Sequence, residues 1–437
     1  MELSVYLILL TGSVLRLLLF DTDIAVWLSD RNELSTPVTS WKRLTEGLTL
    51  TRLGISPYDG DVYHEAPLTL AFWDKMDQLF GSSIKYLFII SDFLIGVLLY
   101  KIGTLFASQV LNEQNKEAAT YHPTAIEIII KNETVRTNRL YTVAAYMLNP
   151  ICIASCVARS TGILNNLAIV LSFHSALRRN RLWMCISIAG ATYLSLYPIV
   201  LLIPLTIYLS RKDEEETKTI KHIKIYSFFQ SLIACISFFG ILLYFSHQIE
   251  GNWKFLHCTF GFILNAPDHS PNYGIFWYFF TELFEHFRLF FVCVFQIHAF
   301  LYVLPLSCRL VADPFFAAYL SIAFTCVFKS YPSYGDMALW GSMIFLWSHT
   351  FRHLRSSFLS LITLIVATIL GPVLWHLWMY AGSANANFYF ASSLAISAAQ
   401  VFIIFDLLFA YQKRKLELKM GVKQKGPDGK PVKYYLE

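Results

Sequence analysis

The sequence predicts an all-α polytopic membrane protein with about twelve transmembrane helices. Three observations carry this reading: an apolar composition, a series of apolar runs of spanning length, and an uneven distribution of lysine and arginine between them. Of 437 residues, 55% are hydrophobic and only 15% are charged, and the mean hydropathy is +0.49. Soluble domains carry about 25% charged residues. A chain this apolar has too little polar surface to cover itself, so lipid must be its main solvent. Aromatic residues reach 16%, as suits interface belts and intramembrane packing.

A span needs about 20 mostly apolar residues. Runs of that kind centre near 12, 95, 148, 170, 189, 203, 236, 297, 321, 344, 367 and 400. The first, Val5 to Phe20, lacks a basic start and a small-residue cleavage site and reads as a retained span. The run near 148 stops at Asn149-Pro150. The runs near 189 and 203 are split at Tyr197-Pro198. Proline removes a backbone donor and clashes with the preceding turn, so these spans should be short or bent.

Orientation follows from the basic residues. Segments 111–139, 178–181, 211–224, 307–313, 351–356 and 412–437 hold 23 lysines and arginines. Segments 21–83, 157–161, 248–285, 329–336 and 380–387 hold 8. Twelve spans put the first set in the cytosol with both termini, and the second set in the lumen. Residues 1–411 then form one membrane domain, with lumenal loops at 21–83 and 248–285 and a cytosolic loop at 111–139. Residues 412–437 form a basic cytosolic tail, helical at first and broken at Gly426-Pro427-Asp428-Gly429. A short interfacial helix is expected near Ile24 to Trp27.

The net charge of +5 is spread over short loops and a tail, and no glycine-rich phosphate loop or zinc-finger spacing is present, so no nucleic-acid partner is expected. Seven of the eight cysteines fall in or beside apolar runs, leaving Cys258 in a long loop. That pattern argues against a disulfide framework. No metal site and no cofactor are expected. Asp92 lies mid-span, where a carboxylate is costly and needs a partner on another helix or a cavity. Lys85 and Lys101 can reach opposite surfaces.

Three stretches stand out for function. In the first loop, Asp21-Thr22-Asp23 can hold a metal or serve as a base, although two acids also mark the polar end of a helix. Farther on come Glu46-Gly47, Gly54-Ile55-Ser56-Pro57-Tyr58 and Tyr63-His64-Glu65. Pro57 and Gly54 set turns there, and Tyr58 and Tyr63 suit the headgroup level. The second stretch is Phe276-Trp277-Tyr278-Phe279-Phe280 with Glu282, Glu285 and His286. Glu282 and His286 would share a helix face, with Arg288 as a partner for Glu285. An interfacial ion pair and a site for a polar lipid headgroup are both consistent with that set. The third stretch joins Trp375, His376 and Trp378 to the small, amide-bearing loop with Asn385 and Asn387. It suits either an interface belt or the lining of a glycan site.

The first loop resembles that of multi-span GPI mannosyltransferases, which implies a glycosyltransferase-type (GT-C) membrane scaffold. Their catalytic acids lie upstream of the Glu-Gly and Ser-Pro-Tyr elements. Here that stretch holds Asp30 and Glu33 but no tight acidic pair. Ser40-Trp41-Lys42-Arg43, Ser56-Pro57-Tyr58, the 276–287 stretch, Phe328-Lys329-Ser330-Tyr331-Pro332 and Pro372-Val373-Leu374-Trp375-His376-Leu377-Trp378 together resemble the U-subunit family of the GPI transamidase complex. The resemblance runs from the first loop to the last span.

It implies an endoplasmic reticulum membrane subunit without catalytic residues. Its partners would be the caspase-like catalytic subunit, the other lumenal and multi-span subunits, and the GPI lipid. The complex joins a protein's new carboxyl end to the ethanolamine phosphate of that lipid. Phe276, Trp277, Tyr278, Glu282, Glu285, His286, Trp375, His376, Trp378, Asn385 and Asn387 are the expected lipid-binding residues. An active lipid-linked glycosyltransferase using Asp21/Asp23 or Asp30/Glu33 is the alternative, and a transporter is a more distant one.

Overall fold

The computed structural model describes residues 2–211 and 224–422, and every regular element named below is helical. Lipid offers no partners to backbone N–H and C=O groups, and a helix satisfies them within itself. In order they are α1 (Leu3–Phe20), α2 (Asp23–Ser29), α3 (Trp41–Arg52), α4 (Pro67–Phe80), α5 (Lys85–Glu117), α6 (Asn132–Met147) and α7 (Pro150–Val157). Next come α8 (Gly162–Leu177), α9 (Arg181–Ser195), α10 (Leu202–Ser210), α11 (Ile225–Glu250), the short α12 (Lys254–Leu256) and α13 (Phe262–Asn265), and α14 (Phe276–Glu282). The last are α15 (Arg288–Leu301), α16 (Val303–Arg309), α17 (Pro314–Phe328), α18 (Tyr334–Met343), α19 (Ser357–Met379) and α20 (Ala386–Met420). The expected break at Gly426-Pro427-Asp428-Gly429 lies outside the described residues.

Helices lie at or beside all twelve expected centres, but fewer than twelve reach spanning length. Among the described residues, six segments are long and apolar enough: Leu3–Phe20, Pro67–Thr120, Ile225–Glu250, Glu285–Arg309, Ser357–Met379 and Ala386–Met420. The pair α6 and α7, bent by 41°, adds a seventh if it counts as one span. The shortfall has local causes. Asn149 caps α7 by accepting from the Ile151 N–H at 3.0 Å, so the helix restarts at Pro150. Chain direction changes at Leu196 (φ 58°), just before Pro198. Past α18 the helix tightens into a 3₁₀ stretch, Ile344–His353.

The loops gather into two groups. Arg43 bonds Asp268 at 2.8 Å, Lys254 reaches Asp59 at 2.6 Å, and the Thr161 and Tyr334 N–H groups donate to the Thr39 and Glu33 carbonyls. Tyr278 donates to Asn387. These contacts join 21–83, 157–161, 248–285, 329–336 and 380–387. Elsewhere, Arg352 and Arg414 donate to the Glu127 and Ile128 carbonyls, His122 N–H to Leu418, and Arg211 to Ala312. Lys415 pairs with Asp313. These join 111–139, 211, 307–313, 351–356 and the end of α20. The two groups are those that the basic residues separate.

Between them, α1, α5 and α6 enclose a charged centre. Arg16 Nε donates to Asp92 Oδ2 at 2.6 Å, and Tyr146 donates to Oδ1 at 2.6 Å. Arg16 also donates to the carbonyls of Gly12 and Met147. Asp92 thus has its partner on another helix. Close approach is needed, because a Cβ at Gly12 or Gly96 would come within 2.7 Å of Met147 and Leu9 respectively. Lys85 meets Asp21 at its own end of α5. On the outside, only 11% of the apolar window of α11 and 17% of that of α19 is buried, leaving broad apolar faces for lipid.

Candidate functional site

The first loop is built as a rigid plate. A short helix, α2, forms where one was expected near Ile24 to Trp27, with Val26 and Trp27 exposed. Gly47 on α3 lets the Tyr63 ring lie against the helix; a Cβ there would sit 2.8 Å from it. Ser56 bonds Glu250, Tyr58 donates to the Glu65 carbonyl at 2.8 Å, and Gly54 takes φ 77° at the turn. Tyr58 and Tyr63 are each 1% exposed. They fill the core of the loop and present no ring to lipid. His64 stacks on Phe262 at 3.5 Å and bonds the Cys258 carbonyl. Glu65 is half-buried with one side-chain partner, Thr161 at 2.7 Å. Burial without a cation pushes its carboxyl up to about 7.

The four candidate acids of the first loop, Asp21, Asp23, Asp30 and Glu33, all have structural positions. Asp21 pairs with Lys85 and Asp30 with Lys42, and Asp23 begins α2. Glu33 is buried and accepts from Tyr389 at 2.9 Å. Burial raises its pKa, and bonds from its own backbone and Tyr389 oppose part of the rise.

Glu33 connects this loop to an aromatic frame at the same end. Trp277 on α14 stacks with Trp378 on α19 at 6.3 Å and meets Tyr389 at 5.9 Å and Phe390 at 5.8 Å on α20. Tyr278 stacks on Phe390 at 4.7 Å, and Trp375 touches Trp378 and Tyr389. Such ring pairs hold each other beyond the area they bury. Phe276 and Phe280 fix α14 from below, against Phe295 on α15. The Trp277 indole N–H is buried with no partner among the described residues. Asn387 and Tyr278 close the frame on its exposed side.

The structure thus brings together Phe276, Trp277, Tyr278, Trp375, Trp378 and Asn387. The others lie beside them. Asn385 caps α20, its Oδ1 accepting from the Phe388 N–H at 3.3 Å. His376 stacks on Tyr380. Glu282 and His286 do not share a helix face: α14 ends at Glu282, Leu283 is extended, and Glu285–Phe287 forms a separate 3₁₀ turn. Arg288 does not serve Glu285 as anchor; it donates to the carbonyls of Asn265 and Ala266. Tyr389 and Phe390 complete the frame but were not anticipated; the three consecutive aromatics Phe388-Tyr389-Phe390 just behind Asn387 were the available signal. Among the described residues no three His, Cys, Asp or Glu side chains converge as metal ligands. All eight cysteines are free and five are buried.

This geometry offers a flat, rigid aromatic wall next to a helix face open to lipid, with amide, phenol and indole groups at its rim. It can hold an amphiphile whose polar part stands outside the membrane. A family model described as the GPI transamidase subunit PIG-U matches residues 10–396. The human GPI-anchor transamidase component PIGU is 38% identical over 443 residues, covering 98% of each chain. The Saccharomyces cerevisiae GPI transamidase component GAB1 is 32% identical over 383 residues, 86% of each.

Proposed function

The chain belongs to the PIG-U family of GPI transamidase subunits, and from that premise we propose that it presents the GPI lipid within the transamidase complex. The acyl chains lie along the outer face of α19, and the glycan stands over the rim formed by Tyr278, Asn387, Trp375 and Trp378. Trp277 donates its free indole N–H toward the headgroup. The protein resides in the endoplasmic reticulum membrane, crosses it twelve times on a GT-C-like scaffold, and keeps both termini in the cytosol. The two loop groups support that alternation. The shorter helices, α8 to α10 and α17 to α18, cross in the shelter of longer neighbours.

Catalysis falls to another subunit, which supplies the nucleophilic cysteine. Two observations support this division: Asp21, Asp23, Asp30 and Glu33 are each tied to a structural partner or a helix start, and most cysteines are buried in helices. The aromatic frame, closed by Tyr278 and Asn387, is the single observation that carries the lipid reading. Asn387→Lys places an ammonium where an amide accepts from Tyr278. GPI attachment in cells rescued with this variant should fall several-fold at unchanged protein abundance. Normal attachment would remove Asn387 from the lipid site.

A further inference from the structure

We propose that a second polar cavity, between the first loop and the 268–272 turn, binds a phosphoethanolamine group. The inference rests on the reading of this chain as a subunit that handles the GPI lipid, whose headgroup carries ethanolamine phosphate. The cavity has a volume of about 190 Å³, and its lining residue Asn272 accepts at its carbonyl from Ser393 on α20, one turn past Tyr389 of the aromatic frame. Asp30, Asn32, Ser35, Ser40, Lys42 and Arg43 line it. Ser35 Oγ is buried there with no partner among the described residues. Ser40 stands at the head of α3, yet its hydroxyl does not cap the helix.

The charge pattern selects the ligand. Lys42 and Arg43 occupy the first turn of α3, the end of a helix least favourable to cations. Each is held by a carboxylate, Lys42 by Asp30 and Arg43 by Asp268. Asp268 is further fixed by the Ser270 N–H at 2.8 Å and by its hydroxyl. Burial would raise the Asp268 carboxyl, but the Ser270 and Arg43 bonds outweigh it and hold it low. An anion alone would satisfy the cations and strand Asp30, and a cation alone would strand Lys42. A neutral sugar would use the hydroxyls and leave both pairs untouched.

Phosphate and primary ammonium joined by two carbons match both signs at once. The phosphate takes Lys42 and Arg43, with Ser35 and Ser40 donating, and the ammonium takes Asp30. The exchange is cheap because the Lys42 and Asp30 side chains are 60% and 47% exposed, and exposed pairs contribute little to stability.

The test uses the full chain in mild detergent, titrated with O-phosphorylethanolamine, inorganic phosphate and methyl α-mannoside. Saturable binding of O-phosphorylethanolamine is expected, tighter than that of phosphate. Lys42→Ala, and Ser40→Trp to fill the cavity, should each weaken it by roughly tenfold or more, with thermal unfolding of Lys42→Ala unchanged. Absence of saturable binding, binding indifferent to both variants, or a preference for the mannoside would overturn the proposal.

Nanodiscs then separate the two sources of the group. Lys42-dependent retention of purified GPI lipid over phosphatidylethanolamine supports the GPI headgroup. Equal or better retention of phosphatidylethanolamine supports the site but assigns it to bulk lipid. If GPI lipid co-purifies with the wild-type complex while O-phosphorylethanolamine fails to bind, the cavity is refuted and the subunit reading stands. If no other subunit co-purifies, that reading fails and the titration stands on its own.

Discussion

Arg16–Asp92 and Lys42–Asp30 join the same kinds of groups in opposite surroundings. The first pair is shut between α1, α5 and α6, with side-chain exposures of 0% and 3%. The second sits at a rim, with exposures of 60% and 47%. Enclosure makes the first pair a fixed part of the architecture: removing one partner leaves a charge with no solvent to turn to. Exposure makes the second exchangeable. Burial, more than chemistry, therefore separates the charges that hold this protein together from those that are free to meet a ligand.

The sharpest way to break this comparison is to remove Asp92. Asp92→Ala leaves Arg16 enclosed and unpaired and should cost about 3–5 kcal/mol. It would be read as loss of the folded protein from membranes or a steep drop in melting temperature in detergent. Asp92→Asn keeps a hydrogen-bond acceptor and should cost less. If Asp92→Ala accumulates and melts like the wild type, the centre does not hold the three helices together.

An intermediate effect is expected at Glu65, half-buried and without a cation. Its folded pKa, raised from 4.5 to about 7, means the native state holds a proton that the unfolded chain gives up. Stability from this residue is therefore complete below about pH 4.5, declines as pH rises, and is gone above about pH 7. Melting temperature should fall across that window, and Glu65→Gln should flatten the slope. An unchanged slope in the variant would assign the pH dependence to other groups.

The smallest effect is expected at the rim. Lys42→Ala should change stability by less than about 1 kcal/mol, as measured by thermal unfolding. A loss as large as that of Asp92→Ala would erase the distinction between the two pairs.

How much of this was legible beforehand depends on the range of the interaction. The helical class and the two groups of loops were readable, because apolar run length and basic residues act segment by segment. The aromatic density of 276–280 and 375–378 was readable too, and the fold packs Trp277 against Trp378. Asp92 announced that it needed a partner, but nothing local pointed to Arg16, 76 positions away. Asn385 and Asn387 were indistinguishable in sequence; the fold makes one a helix cap and the other the partner of Tyr278. Glu282 and His286 misled because a continuous helix was assumed where Leu283 is extended. The count of twelve spans rested on apolar run length, and prolines and a 3₁₀ stretch divide several of those runs.

The central claim is most directly tested by purifying this protein from membranes in mild detergent and identifying the co-purifying proteins and lipids by mass spectrometry. The account predicts recovery of a caspase-like subunit with its membrane partners, together with GPI lipid that is lost in Asn387→Lys. A protein recovered alone and carrying dolichol-phosphate sugar would contradict it, and would turn attention to Asp21/Asp23 or Asp30/Glu33 as a catalytic pair.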